Sequence, residues 1–266
     1  MKNKINKTLN TLNNRGDKAL TVFLTSGYPN PETFVDLALG VLKSGADILE
    51  IGVPFGDSLA DGPVIQSSYM ESLKNNVDLT TTFKYVSEIK QHSEAPIILM
   101  GSANPILNYG KNEFVSDAVK SGVDGLIVPD VPVEEYDDFF EDKFEQLDTI
   151  LLTTPTSVER VKEIDKKSRG FVYCVSVVGI TGERNNYDSY VLENIKKTYS
   201  NIVKNKMQIG FGISSPENIK TFSPYCDGVI VGSAVIRHLK EDNKDFSNTF
   251  SFVSGLASAC KHHIIE

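Results

Sequence analysis

The chain is poor in sulfur and imidazole, with three cysteines and four histidines in 266 residues. Cys174, Cys226 and Cys260 are widely spaced and odd in number, which argues against a disulfide framework and offers no metal-ligand spacing. Cys174 and Cys226 fall in strand-like runs, where core packing is the expected role. His92 lies beside a loop, and His262 and His263 lie in a polar tail, so histidine is not the expected base. Positive charge is scarce too: 27 Lys and Arg against 35 Asp and Glu leave a net charge of -8. With no basic cluster to follow a phosphate backbone, no nucleic-acid partner is expected. No apolar run reaches the roughly 18 residues that a membrane-spanning helix needs. Met1-Lys2-Asn3-Lys4-Ile5 lacks the apolar core of a signal peptide, so a cytoplasmic protein with no membrane partner is expected. An apolar fraction of 40% and a charged fraction of 23% are ordinary for a globular chain, and the length allows one large domain or two small ones.

What the chain does have is a repeated alternation. Ile5 to Leu12 carries apolar residues at helical spacing and reads as a helix laid over one end of the domain. Short apolar runs then recur at Leu20–Thr25, Ile48–Ile51, Pro96–Met100, Gly125–Val128, Thr149–Leu152, Phe171–Val175, Gln208–Phe211 and Gly228–Val231. Between them lie segments at about 31–45, 64–74, 79–92, 113–121, 133–146, 157–167, 189–203 and 216–222, and amphipathic helices finish the chain. The runs do not alternate polar with apolar, as expected of strands covered on both faces. Regular strand–helix alternation implies parallel strands. Eight such units in about 250 residues fit an α/β fold of the (β/α)8 TIM-barrel type, with an extra N-terminal helix. No low-complexity linker divides the chain, so one domain over residues 1–266 is expected.

In such a barrel the chemistry belongs at the C-terminal ends of the strands. The loop after the second strand draws attention first, in Ile48-Leu49-Glu50-Ile51-Gly52-Val53-Pro54-Phe55-Gly56-Asp57-Ser58-Leu59-Ala60-Asp61-Gly62-Pro63. A charge inside an apolar run is costly unless it is neutralised, paired or used. Glu50 therefore marks either a buried ion pair with a basic residue from another strand, or a catalytic group. Asp61 before Gly62-Pro63 suits either a helix N-cap or the same site. Tyr173 is expected to be a packed core aromatic or to send its hydroxyl into the barrel mouth. The loop at 176–189 is long and bracketed by Gly179 and Gly182, as lids often are. Gly182, Gly212 and Gly232-Ser233 would either serve tight turns or let backbone N–H groups approach a phosphate at a helix N-terminus.

These motifs, taken in order, resemble the tryptophan synthase alpha chain family. The likeness rests on Leu49–Phe55, Asp57 and Leu59–Pro63, then on Asn104-Pro105, Val128-Pro129-Asp130-Val131-Pro132 with Glu134-Glu135, Gly179–Gly182, Gly210–Ser214 and Gly228–Ala234. The resemblance implies a lyase that cleaves indole-3-glycerol phosphate to indole and glyceraldehyde 3-phosphate by a retro-aldol reaction. Glu50 then matches the glutamate that protonates the indole ring carbon and could also take the hydroxyl proton. Asp61 matches the aspartate that engages the indole N–H. Gly182, Gly212, Gly232 and Ser233 match the phosphate site, and Phe23, Ile65, Ile127 and Phe211 match the indole pocket, with Tyr173 near the glutamate.

The same resemblance implies that Asp57, Asn104, Pro132 and Thr181 belong to mobile loops or to the surface that meets a beta chain, in an alpha2beta2 heterotetramer. Pyridoxal phosphate belongs to that beta chain, and no cofactor or metal to this one. Two departures stand out. The family usually has Phe-Ser-Asp-Pro where this chain has Phe55-Gly56-Asp57-Ser58, a change expected to loosen the loop. A tyrosine often precedes its Asn-Pro where this chain has Ser102-Ala103, which would thin one wall of the indole pocket. The competing readings are another barrel lyase or isomerase acting on a sugar phosphate, and a non-catalytic subunit that activates a partner.

Overall fold

The computed structural model describes residues 3–58, 60–154, 156–175, 189–210, 212–242 and 245–261. Its strands are β1 (Ala19–Thr25), β2 (Ile48–Gly52), β3 (Ile97–Met100), β4 (Gly125–Ile127), β5 (Asp148–Thr153), β6 (Phe171–Val175), β7 (Lys206–Gly210) and β8 (Gly228–Val231). They pair in parallel, in sequence order, and β8 returns to β1 to close a barrel. The helices are α1 (Lys4–Asn13), α2 (Phe34–Lys43), α3 (Pro63–Lys74), α4 (Leu79–His92), α5 (Ala103–Tyr109), α6 (Lys111–Ser121), α7 (Tyr136–Phe139), α8 (Val158–Lys167), α9 (Ser189–Asn201), α10 (Pro216–Phe222), α11 (Ser233–Glu241) and α12 (Ser247–Cys260).

Closure follows from composition. Every residue of β1, β2, β3, β4 and β8 is buried, because helices cover the outer face while side chains fill the inner one. The helices begin where the sequence places acceptors or prolines. Asp78, Ser157 and Ser215 accept from the backbone N–H groups of Thr81, Arg160 and Asn218, and Pro63 and Pro216 occupy first-turn positions. α1 covers the N-terminal end of the barrel: Ile5 and Leu9 are fully buried, and Ile5 packs against the Cα of Gly125 at the start of β4.

Three aspartates fasten that same end. Asp47, Asp124 and Asp227 sit just before β2, β4 and β8. Each accepts the N–H of a residue in the preceding strand, Leu20, Ile97 and Met207, at 2.9 Å. Cys174, Cys226 and Cys260 are buried free thiols, as packing residues should be.

Two stretches differ from expectation. Residues 103–109 form a separate helix, α5, whose first N–H is held by the Asp130 carboxylate. It stops at Gly110, where φ is 92°. The segment 133–146 is not one helix: it breaks into 3-10 turns at Val133–Glu135 and Asp142–Gln146 around the four residues of α7. Six acidic residues between Glu134 and Asp142 repel one another along any continuous helix, while Tyr136, Phe139, Phe140 and Phe144 gather into one aromatic cluster.

Candidate active site

Glu50 occupies the middle of β2, in register with Phe23 of β1 on one side and Ile98 of β3 on the other. It is 1% exposed, and among the described residues its Oε2 has no hydrogen-bond partner. No ion pair reaches it among the described residues, so the buried salt bridge that the sequence left open is absent there. Burial, and then the charge of Asp61, push its carboxyl up to about 8. A glutamic acid held this way stays protonated at neutral pH and is poised to give up its proton.

Asp61 lies behind it in the loop that joins β2 to α3. It is not the cap of α3, because that position belongs to Gly62 and no side chain caps the helix. The Ser58 hydroxyl instead donates to Asp61 Oδ2, while Oδ1 is buried without a partner among the described residues. Burial raises the Asp61 carboxyl, and the Ser58 hydrogen bond lowers it. The two carboxyls thus sit in unlike surroundings: a hydrogen bond opposes burial at Asp61, whereas the charge of Asp61 adds to burial at Glu50.

Two tyrosines complete this cluster. Tyr173 on β6 is buried, and its hydroxyl end packs against Gly210 of β7 in space that only a glycine leaves. Tyr69 on α3 was not singled out from the sequence. A Cβ on Gly52 would fall 2.7 Å from its Oη and 2.5 Å from Cζ of Phe23, so the glycine that ends β2 lets both rings close in beside Glu50. Burial and the charges of Glu50 and Asp61 keep both phenols neutral, well above their ordinary range. The only signal for Tyr69 was its place on the inward face of α3, in step with Ile65 and Ser72. That helix is also tied to the end of β1 by Ser68 and Thr25, whose hydroxyls are 2.6 Å apart.

Of the other expected residues, Phe23 is buried within β1 and Ile127 at the end of β4, and Ile65 is half-buried on α3. Gly232 directly precedes α11, with its Cα beside Phe23, and Ser233 opens that helix. Gly212 follows β7 with φ at 81°, a conformation that favours glycine. Asp57 and Pro132 are exposed on the loops after β2 and β4, and Asn104 is exposed in the first turn of α5, after β3. Gly182, Thr181 and Phe211, and with them residues 176–188 of the expected lid, lie outside the described residues.

The sequence signature of the tryptophan synthase alpha chain matches residues 9–263. The chain belongs to the tryptophan synthase alpha chain family. A tryptophan synthase alpha chain of Clostridium beijerinckii is 44% identical over 263 residues, covering 97% of this chain and 100% of that one. One of Petrotoga mobilis is 43% identical over 237 residues, covering 87% and 90%. The crystal structure of the alpha subunit from Legionella pneumophila superposes with a TM-score of 0.86 at 33% identity, over 96% of this chain and 97% of that one. The alpha-chain fold and its TIM barrel are therefore shared at full length, and the family has a beta-chain partner.

Proposed function

We propose that Glu50 and Asp61 carry the alpha-chain reaction, the retro-aldol cleavage of indole-3-glycerol phosphate to indole and glyceraldehyde 3-phosphate. The chain is a carbon–carbon lyase of tryptophan biosynthesis. The observation that supports these roles is a buried glutamic acid raised to about 8, its Oε2 without a partner among the described residues, beside a second carboxyl that Ser58 holds by a hydrogen bond. Two carboxyls in unlike environments can hold different protonation states at one pH.

The chemistry then runs on this chain's own groups. Protonated Glu50 gives its proton to the indole ring carbon that bears the glycerol chain. Asp61, ionised, accepts the indole N–H and stabilises the positive charge that appears on the ring. Glu50, now a carboxylate, takes the proton of the adjacent glycerol hydroxyl. The carbon–carbon bond breaks, its electrons restore the indole ring, and the hydroxyl carbon becomes the aldehyde. Phe23, Ile65, Ile127 and Phe211 form the apolar pocket for indole, with Tyr173 beside Glu50. Gly182, Gly212, Gly232 and Ser233 hold the phosphate, where a helix N-terminus adds its positive dipole end.

The whole of residues 1–266 acts as one domain in an alpha2beta2 heterotetramer in the cytoplasm. Asp57, Asn104, Pro132 and Thr181 belong to the loops that move or meet the beta chain. Pyridoxal phosphate sits on that partner, and the alpha reaction itself uses none. Incubation with indole-3-glycerol phosphate is expected to release indole, faster when beta chain is added. No indole under either condition would overturn the reading.

A further inference from the structure

The position after Asp57, where the family usually has proline, holds Ser58, and its surroundings give it a task. Ser58 is buried although it sits in a loop. Its hydroxyl donates to Asp61 Oδ2, and its backbone carbonyl accepts the Gln66 side-chain amide at 2.8 Å. Gln66 belongs to α3, so the serine is anchored to the helix while it holds the carboxylate three residues on. Among the described residues, Asp61 has no other protein partner for Oδ2, and Oδ1 has none. A proline could pin the backbone but could not donate. The loosening expected from losing proline is thus offset by a side-chain bridge.

We propose that Ser58 is a positioning residue that orients the Asp61 carboxylate through its Oδ2, leaving Oδ1 to receive the substrate N–H. The inference rests on the assignment of Asp61 as the group that engages the indole nitrogen. Among the described residues, the titratable groups that feel the charge of Asp61 are Glu50 from β2, Tyr69 from α3 and Tyr173 from β6, all of them acids. Among the described residues, Ser58 is accordingly the donor that opposes the effect of burial on Asp61. Without it, Asp61 takes up a proton at higher pH and loses a fixed orientation.

Ser58→Thr and Ser58→Val have the same shape and differ only in the hydroxyl, so the pair isolates it. Indole release is followed across pH for wild type and both variants, with thermal melting and beta-chain binding as checks on folding. The threonine variant is expected to keep the wild-type profile. The valine variant is expected to lose about tenfold in kcat/KM near neutral pH, mostly in kcat, with the acid limb of the profile moved to higher pH. Ser58→Ala, which needs no added room, is expected to behave as valine does, and it decides the matter if the branched variants do not fold. Equal profiles for the threonine and valine variants, or an alanine variant that matches wild type, would overturn the proposal. Absence of indole release from wild type would instead overturn the reading on which it rests.

Discussion

At Glu50, a carboxyl with an ordinary value of 4.5 is raised to about 8, chiefly by burial and then by the charge of Asp61. The folded chain therefore binds this proton more tightly than the unfolded chain, so the group favours folding below pH 4.5. That contribution is lost progressively as pH rises to about 8. The gap corresponds to at most roughly 5 kcal/mol. Glu50→Gln removes the titration: denaturant unfolding of both proteins across this range should show wild type losing stability, relative to the variant, as pH rises. A constant difference would mean that Glu50 is not raised. The same variant is expected to release no measurable indole while still binding the beta chain. Asp61→Asn is expected to lower activity about 10²–10³-fold, the usual effect of deleting one preorganised charge-stabilising group. In its residual activity the basic limb should move to lower pH, because the neighbouring charge that helps raise Glu50 is gone. Glu50 and Asp61 were legible in the sequence as charges in an apolar or glycine-punctuated setting. The Ser58 bridge and the approach of Tyr69 to Gly52 were not, since both depend on how a loop and a helix fold back across β2.

Among the elements, the strands were the most legible, because burial on both faces leaves unbroken apolar runs that few other structures produce. α5 was hidden by its length of seven residues, too short for a helical period to show, although Pro105 in its first turn was an available sign. The break-up of 133–146 depends on acidic repulsion and on an aromatic cluster assembled from several turns, which periodicity alone does not report. The aspartates that precede β2, β4 and β8 show a device at the opposite end of the barrel from the site. Asp124 joins three pieces: it accepts Ile97 N–H from β3, pairs at 2.6 Å with Lys90 of α4, and directly precedes β4. Both partners are largely buried, and desolvation holds the Lys90 ammonium below its usual range. Asp124→Ala removes the carboxylate that offsets that ammonium, which keeps only the Ala95 carbonyl among the described residues, and takes away the Asp124 acceptor of Ile97 N–H, so it should cost about 3 kcal/mol. Chemical denaturation measures the loss. Because the change lies at the N-terminal end, kcat/KM of the folded fraction should stay at the wild-type value.

Across the whole molecule, the two ends of the barrel divide the work. The N-terminal end is closed by α1 and fastened by aspartates, while the C-terminal end gathers Glu50 from β2, Phe23 from β1, Ile127 from β4 and Tyr173 from β6 around one mouth. Such convergence could not be read from spacing, because residues up to 150 positions apart meet only once β8 pairs with β1. The exposed residues assigned to the partner surface also sort by position. Asp57, Asn104 and Pro132 follow β2, β3 and β4, three consecutive strands, and so share one side of the rim. On that side Leu107 of α5 is 54% exposed, a large apolar residue for an open surface, one turn from Asn104. An apolar anchor ringed by polar residues is the usual form of a protein contact. Leu107→Glu places a charge there without touching the barrel interior. The free variant should release indole at the wild-type rate, and its affinity for the beta chain, measured by calorimetry, should fall about tenfold or more. The increase in indole release on adding beta chain should then need correspondingly more of it. Unchanged affinity would move the partner surface elsewhere on the rim and would leave Asp57, Asn104 and Pro132 without a common role.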